Sequence, residues 1–112
     1  MLAAGPAAHA AGPAEKVFEL AIVGGMLPAS QRVLRVDKSD AVRLRLTSDA
    51  AGEAHLHGYR LDARVAPGQA AELAFSARAT GRYRIEWHAA GDAPEGGRHH
   101  GPPLAVLEVR PK

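Results

Sequence analysis

The chain has 112 residues, of which 46% are apolar and 23% are charged, a composition that supports one domain with a buried core and excludes general disorder. It contains no cysteine, which excludes disulfides, thiolate zinc sites, iron–sulfur ligation and cysteine nucleophiles. The formal net charge is +2, and the basic residues are scattered singly, a pattern that argues against binding to nucleic acid or to an anionic membrane.

Residues 1–14 are small and mostly apolar, and we expect them to lie outside the folded domain, which we place at residues 15–112. Ala8-His9-Ala10 has the small-x-small form that signal peptidases cleave, although a basic region and a full apolar region are missing. The sequence therefore predicts a signal-peptide remnant and an exported protein, periplasmic or secreted. The alternative is a disordered leader with no targeting role. No stretch reaches the roughly 20 apolar residues that a membrane span needs.

From Glu15 onward the chain consists of short β-rich segments separated by turn residues. In chain order, the segments are 17–23, 32–36, 41–47, 54–61, 71–77, 82–88 and 104–109. Turns are indicated at Gly24-Gly25 and Pro67-Gly68, and a longer loop rich in glycine and proline is indicated at 89–103. Because no segment has a helical period, the sequence predicts an all-β fold of seven or eight antiparallel strands, either a sandwich or a barrel.

Alternating apolar positions within these segments predict the core. They fall on every second residue, as in a strand with one buried face, while arginines occupy the positions between them. The predicted core residues are Val42, Leu44, Leu46, Leu73, Phe75, Tyr83, Ile85 and Trp87.

Histidine is the residue type that points to chemistry, because five of the six histidines lie between positions 55 and 100. His55 and His57 are two residues apart, so an extended strand would place both imidazoles on one face, about 7 Å apart. His88 ends the 82–88 segment, and His99 and His100 follow in the next loop. If the start of the 54–61 segment lies beside the end of the 82–88 segment, four or five imidazoles converge. Such a set suits copper(II), zinc or nickel(II), with copper favoured by the order of divalent affinities.

The order of several short motifs resembles that of a cupredoxin, and more narrowly that of small exported cupredoxin-like proteins without the type 1 copper cysteine. The resemblance covers about residues 17–110. It rests on Pro28, Val33, Val36, Val42-Arg43-Leu44, His57-Gly58-Tyr59, Pro67-Gly68, Leu73-Ala74-Phe75, Gly81-Arg82-Tyr83 and Leu107-Glu108-Val109. It implies a Greek-key β-sandwich.

The departure from the blue copper pattern is equally informative. Counting from Gly81, the family's cysteine position falls on Trp87, so the resemblance does not imply a blue electron-transfer site. It implies His57 as a ligand from a strand and places the other ligands in the loop between the last two strands. That part of the sequence offers His88, His99 and His100, and His55 completes the predicted ligand set.

Three further residues are predicted near the metal. Met26 is either a weak thioether ligand that favours copper(I) or a packing residue. Glu86 either orients an imidazole or is exposed at the end of a strand. Trp87 packs over the site or in the core. The histidines also have purely structural interpretations, since a histidine in a strand is commonly a hydrogen-bonded, partly buried residue and a loop pair is commonly solvated.

No phosphate-binding loop, nucleophile elbow or zinc-protease helix occurs, so an enzyme is not expected. The sequence predicts an exported copper protein that acts in storage, delivery or resistance, with Cu2+ or Cu+ as the ion, zinc as a substitute and a protein partner for delivery. Because ligating imidazoles must be neutral, copper affinity should fall below about pH 6.5. The alternative function is that of a metal-free cupredoxin-like module that binds a protein partner through its loop end.

Overall fold

The computed structural model describes residues 14–91 and 102–112, which form two sheets packed face to face. The strands are β1 (Glu15–Ile22), β2 (Val33–Asp37), β3 (Ala41–Ser48), β4 (Gly52–Leu56), β5 (Leu61–Val65), β6 (Ala71–Ser76), β7 (Gly81–Ala89) and β8 (Ala105–Arg110). A short 3-10 turn at Ala29–Gln31 is the only helical element in the described part of the chain. The predicted eight-stranded all-β fold is confirmed. Among these residues, no helix is long and apolar enough to cross a membrane.

One sheet has the strand order β1-β3-β6 and the other has the order β2-β8-β7-β4-β5. Most neighbouring strands are antiparallel, as predicted, but β1 runs parallel to β3 and β2 runs parallel to β8. The parallel β1–β3 pair arises because β2 crosses to the opposite sheet between them, so the chain returns to the first sheet in its original direction. Local sequence patterns do not report such crossovers.

The core lies between the sheets and is built from the predicted alternation. Val42, Leu44 and Leu46 on β3 are buried, as are Leu73 on β6 and Ile85 on β7. The predicted aromatic members of the core pack against this cluster while remaining partly buried, and they are Phe75, Tyr83 and Trp87.

The segment predicted as one strand over 54–61 is two strands, which corrects that prediction. Strand β4 ends at Leu56 and β5 begins at Leu61, and the two pair as an antiparallel hairpin. The chain reverses because Gly58 has a φ of +88° and Arg60 a φ of +57°, both in the left-handed region. A side chain at position 58 would also meet the ring of Tyr83, so this turn requires glycine.

Strands β5, β4 and β7 therefore lie side by side, and their outward-facing side chains share one exposed surface. Because β4 and β7 are antiparallel, the start of β4 lies beside the end of β7. The β1–β2 connection reaches the same place, since Gly25 lies against the indole of Trp87. We call this region the loop end of the sandwich.

Candidate metal centre

His55 on β4 and His88 on β7 meet on the outer face of the five-stranded sheet. Their ring centroids are 4.8 Å apart, and the ring planes are inclined at 74°, an edge-to-face arrangement. The register explains the contact: Glu53 pairs with His88 and His55 pairs with Glu86, so the two imidazoles are diagonal neighbours. The start of β4 lies beside the end of β7, as predicted, and this arrangement brings two of the predicted histidines together.

Asp62, on β5, holds the ring of His55. It lies directly opposite His55 in the β4–β5 hairpin, and its Oδ1 is 2.7 Å from Nδ1 of that ring. Because an ionised carboxylate can only accept a hydrogen bond, Nδ1 carries a proton, and in the neutral imidazole Nε2 then has the free lone pair. A carboxylate that holds the second nitrogen of a histidine is the usual support of a metal-ligating imidazole.

A second carboxylate lies on the other side of the same ring. Oε1 of Glu53 is 3.6 Å from Nε2 of His55, and Glu53 is also the cross-strand neighbour of His88. Nε2, the nitrogen of His55 that Asp62 does not contact, therefore faces the carboxylate of Glu53.

Glu86 is placed differently from its predicted orienting role. Its side chain is buried, and Oε2 accepts a hydrogen bond of 2.8 Å from Nε of Arg84. The carboxylates beside the imidazole of His55 are those of Asp62 and Glu53, and sequence analysis missed both. The available signal was Gly58, because a turn centred there places residues 55 and 62 opposite each other.

His57 is not brought to the pair. Strand β4 ends one residue before it, and His57 is exposed in the β4–β5 turn, with its backbone N–H donating to the carbonyl of Arg84. Arg84 precedes His88 by four residues on β7, which corresponds to roughly 13 Å along a strand. The remaining predicted ligands, His99 and His100, lie outside the described residues.

Trp87 faces the core rather than the histidine pair, since it lies opposite the fully buried Ala54. Its indole lies so close to Gly52 that a Cβ there would overlap the ring. At the loop end Trp87 helps to line a groove of about 220 Å³ together with the exposed Met26. An indole therefore fills the position at which the resemblance would put a thiolate.

The donors at the histidine pair meet part of what copper requires. The imidazole pair, with Nδ1 of His55 already held by Asp62, has the chemistry of ligating histidines, whereas the core side at Trp87 offers no thiolate for a type 1 site. In residues 14–91 and 102–112, no cluster of three or more histidines and carboxylates is arranged to hold a metal ion. The donor set thus fits copper as a two-histidine site that needs at least one ligand from elsewhere.

Comparison with solved structures relates this fold to copper proteins. A chain of a heme-copper terminal oxidase dimer matches with a TM-score of 0.66 at 17% identity, over 85% of this chain and 65% of that chain. A copper-binding protein solved by NMR in its apo form has a TM-score of 0.61 at 9% identity, with coverage of 86% and 88% respectively. For the copper-containing nitrite reductase of Thermus scotoductus SA-01 the TM-score is 0.60 at 21% identity, with coverage of 88% and 28%.

The chain thus spans less than two thirds of the oxidase and reductase chains and most of the small copper-binding protein. No protein-family model and no curated protein matches the sequence. The architecture, the strand order and these structural matches agree with the resemblance that the motifs carry, and the sequence holds no cysteine. The chain has a cupredoxin-like fold in a cysteine-free form.

Proposed function

We propose that this chain binds copper through His55 and His88 and acts in copper handling, that is, in storage, delivery or resistance. The observation that carries the proposal is the contact of the two imidazoles, one of which has its Nδ1 held by Asp62. Copper proteins among the structural relatives support the choice of metal. The absence of cysteine argues against blue electron transfer, and no sequence motif argues for an enzyme.

In this proposal Nε2 of His55 and a ring nitrogen of His88 bind the ion. Asp62 orients the first ring, and Glu53 supplies negative charge beside it. One of His99 and His100, which follow β7 in the chain, remains the predicted source of a further ligand. Copper itself supplies a cation that can be passed on to a protein partner. Export to the periplasm or the cell exterior is part of the proposal and rests on Ala8-His9-Ala10.

A copper titration with three single variants tests the assignment. We expect His55→Ala and His88→Ala each to weaken binding at least tenfold, about 1.4 kcal/mol, because each removes one of two imidazole ligands. His57→Ala is the matched control: it removes an exposed histidine two residues from His55, and we expect an affinity within about threefold of the parent protein's, about 0.7 kcal/mol. Unchanged affinity in both His55→Ala and His88→Ala would overturn the proposal.

A second function is favoured by one observation at the loop end. Val23 and Met26 are 65% and 55% exposed, and both belong to the β1–β2 connection beside the groove. Neighbouring exposed apolar side chains are typical of protein interaction sites. The second candidate is therefore a metal-free module that binds a protein partner there. The copper titration separates the two functions, because a metal-free module shows no saturable binding.

A further inference from the structure

In the part of the chain that the structure describes, the one sulfur atom is that of Met26, in the β1–β2 connection. The chain contains two methionines and no cysteine, and Met26 is the methionine that lies in the described residues. Its position is fixed by a tight hairpin, because the backbone N–H groups of Val23 and Met26 each donate to the carbonyl of the other residue at 3.0 and 3.1 Å. Gly24 and Gly25 form the tip with φ values of +62° and +77°, as a two-residue hairpin turn requires.

Met26 shares the loop-end groove with Trp87 and Glu86, and the alternation of β7 turns Trp87 and His88 to opposite faces of the sheet. Trp87, which shares the loop-end groove with Met26, lies opposite the buried Ala54 and faces the core. His88 is the next residue, so its side chain points to the opposite face of the sheet. The hydrogen-bonded backbones of β4 and β7 thus lie between the core-facing indole and the histidine pair.

Within the described residues, carboxylates lie beside both ring nitrogens of His55. Asp62 is 2.7 Å from one nitrogen of His55, and Glu53 is 3.6 Å from the other. Glu86 is also a cross-strand neighbour of His55, but Arg84 offsets its charge. Within the described residues neither Asp62 nor Glu53 forms an ion pair with an arginine or a lysine, although Arg64 is the cross-strand neighbour of Glu53. Negative charge beside the imidazoles favours a doubly charged ion over a singly charged one.

Ligand softness leads to the same preference. Thioether and thiolate ligands select copper(I), whereas imidazole and carboxylate ligands suit copper(II). On the proposed function, we infer that the histidine pair, with the charges of Asp62 and Glu53 beside it, is selective for copper(II) and does not take up copper(I). Met26 belongs to the loop-end surface and plays no part in metal binding.

Parallel titrations with the two oxidation states test this inference. Copper(II) is added to the full chain in air, and copper(I) is added without oxygen in competition with the chromophoric chelator bicinchoninate. The parent protein is compared with Met26→Leu, which removes sulfur at similar volume, and with Glu53→Gln, which removes one charge. Electron paramagnetic resonance of the copper(II) form reports the ligand atoms directly.

We expect Met26→Leu to bind copper(II) within about threefold of the parent protein and Glu53→Gln to bind it at least threefold more weakly. Neither the parent nor the variants should withdraw copper(I) from the chelator, and the resonance spectrum should be that of a tetragonal site with nitrogen ligands. Copper(I) uptake that disappears in Met26→Leu would overturn the inference while leaving a copper function in place. Failure of the parent protein to bind copper(II) would overturn both the inference and the proposed function.

Discussion

Asp62 determines which nitrogen of His55 faces the proposed metal. It accepts a hydrogen bond from Nδ1 and so leaves the Nε2 lone pair directed away from β5. We expect Asp62→Asn to lower copper affinity by about 10- to 100-fold, because outer partners of ligating histidines have effects of that size. Isothermal titration measures the change. Asp37→Asn is the matched control, since Asp37 pairs with Arg110 on β8, well outside the histidine pair. Equal affinities for Asp62→Asn and the parent would contradict this role.

A second prediction at the residue scale concerns the hydroxyl of Tyr59. It is buried, and no described group forms a well-aligned hydrogen bond with it, although the backbone N–H groups of Arg78 and Ala79 lie close to it. The ring packs against Phe75 and Tyr83. Burial raises the pKa of the Tyr59 phenol more than these N–H groups lower it, so the neutral form is favoured in the folded protein.

Because the Tyr59 hydroxyl is buried and gains no well-aligned hydrogen bond, Tyr59→Phe should not destabilise the fold. We expect the free energy of unfolding to be unchanged or raised by up to about 1 kcal/mol. Urea unfolding of both proteins gives the comparison. A loss of more than about 1 kcal/mol would mean that the hydroxyl has a partner in solution.

The candidate residues could be found from the sequence in part. His55 and His88 were identifiable because histidines are concentrated after position 55, and Trp87 because it occupies the position at which the family has cysteine. Asp62 was not identifiable, because its role depends on the pairing of two strands that sequence analysis had merged into one. Glu86 was singled out for proximity in sequence, but its contact is with Arg84.

At the scale of elements, a salt bridge links β1 to the turn between β2 and β3. Nζ of Lys16 lies 2.6 Å from Oδ2 of the buried Asp40, and the backbone N–H of Asp37 donates to the same oxygen at 2.8 Å. The hydrogen bond from Lys16 is the main cause that lowers the pKa of Asp40 below its ordinary value of 3.8, and burial opposes it.

When the pKa of a carboxyl is lower in the folded than in the unfolded protein, its ionised form stabilises the fold at pH values above the pKa of the unfolded protein. This stabilisation is lost as pH falls through the pKa of the folded protein. Lys16→Met should therefore cost about 1.5–3 kcal/mol at pH 7. The cost should decrease progressively as pH falls below the unfolded pKa and through the lowered pKa of Asp40 in the folded protein. Thermal unfolding across this pH range tests the effect. A cost that stays constant down to pH 2 would contradict the assignment.

Trp87 fastens the end of β7 to the start of β4, since its ring lies directly over Gly52. Gly52→Ala should destabilise the protein by about 1–3 kcal/mol, because the added methyl group overlaps the indole. In a Trp87→Leu protein, which has room for the added methyl group, Gly52→Ala should cost less than it does in the parent protein. Chemical unfolding of the four proteins forms a double-mutant cycle, and strictly additive effects would contradict the contact.

At the scale of the whole molecule, the sequence predicts the architecture better than it predicts the site. Alternation in β3, β6 and β7 identifies the core because each of these strands buries one face. The site depends on the register between β4 and β7, which sets His55 diagonal to His88 and leaves His57 opposite Arg84. No local pattern encodes that register, so the predicted convergence of four or five imidazoles was broader than the pair that the described residues form.

Copper(II) relaxation broadening in an NMR spectrum locates the bound ion most directly. Added at a tenth of the protein concentration, the paramagnetic ion broadens amide signals near its site and leaves distant ones sharp. We expect broadening to centre on residues 53–56, 62 and 86–89, which carry or adjoin the histidine pair on β4, β5 and β7. Broadening centred on Gly25, Met26 and Leu104 at the loop end, or on the turn at His57, would contradict it.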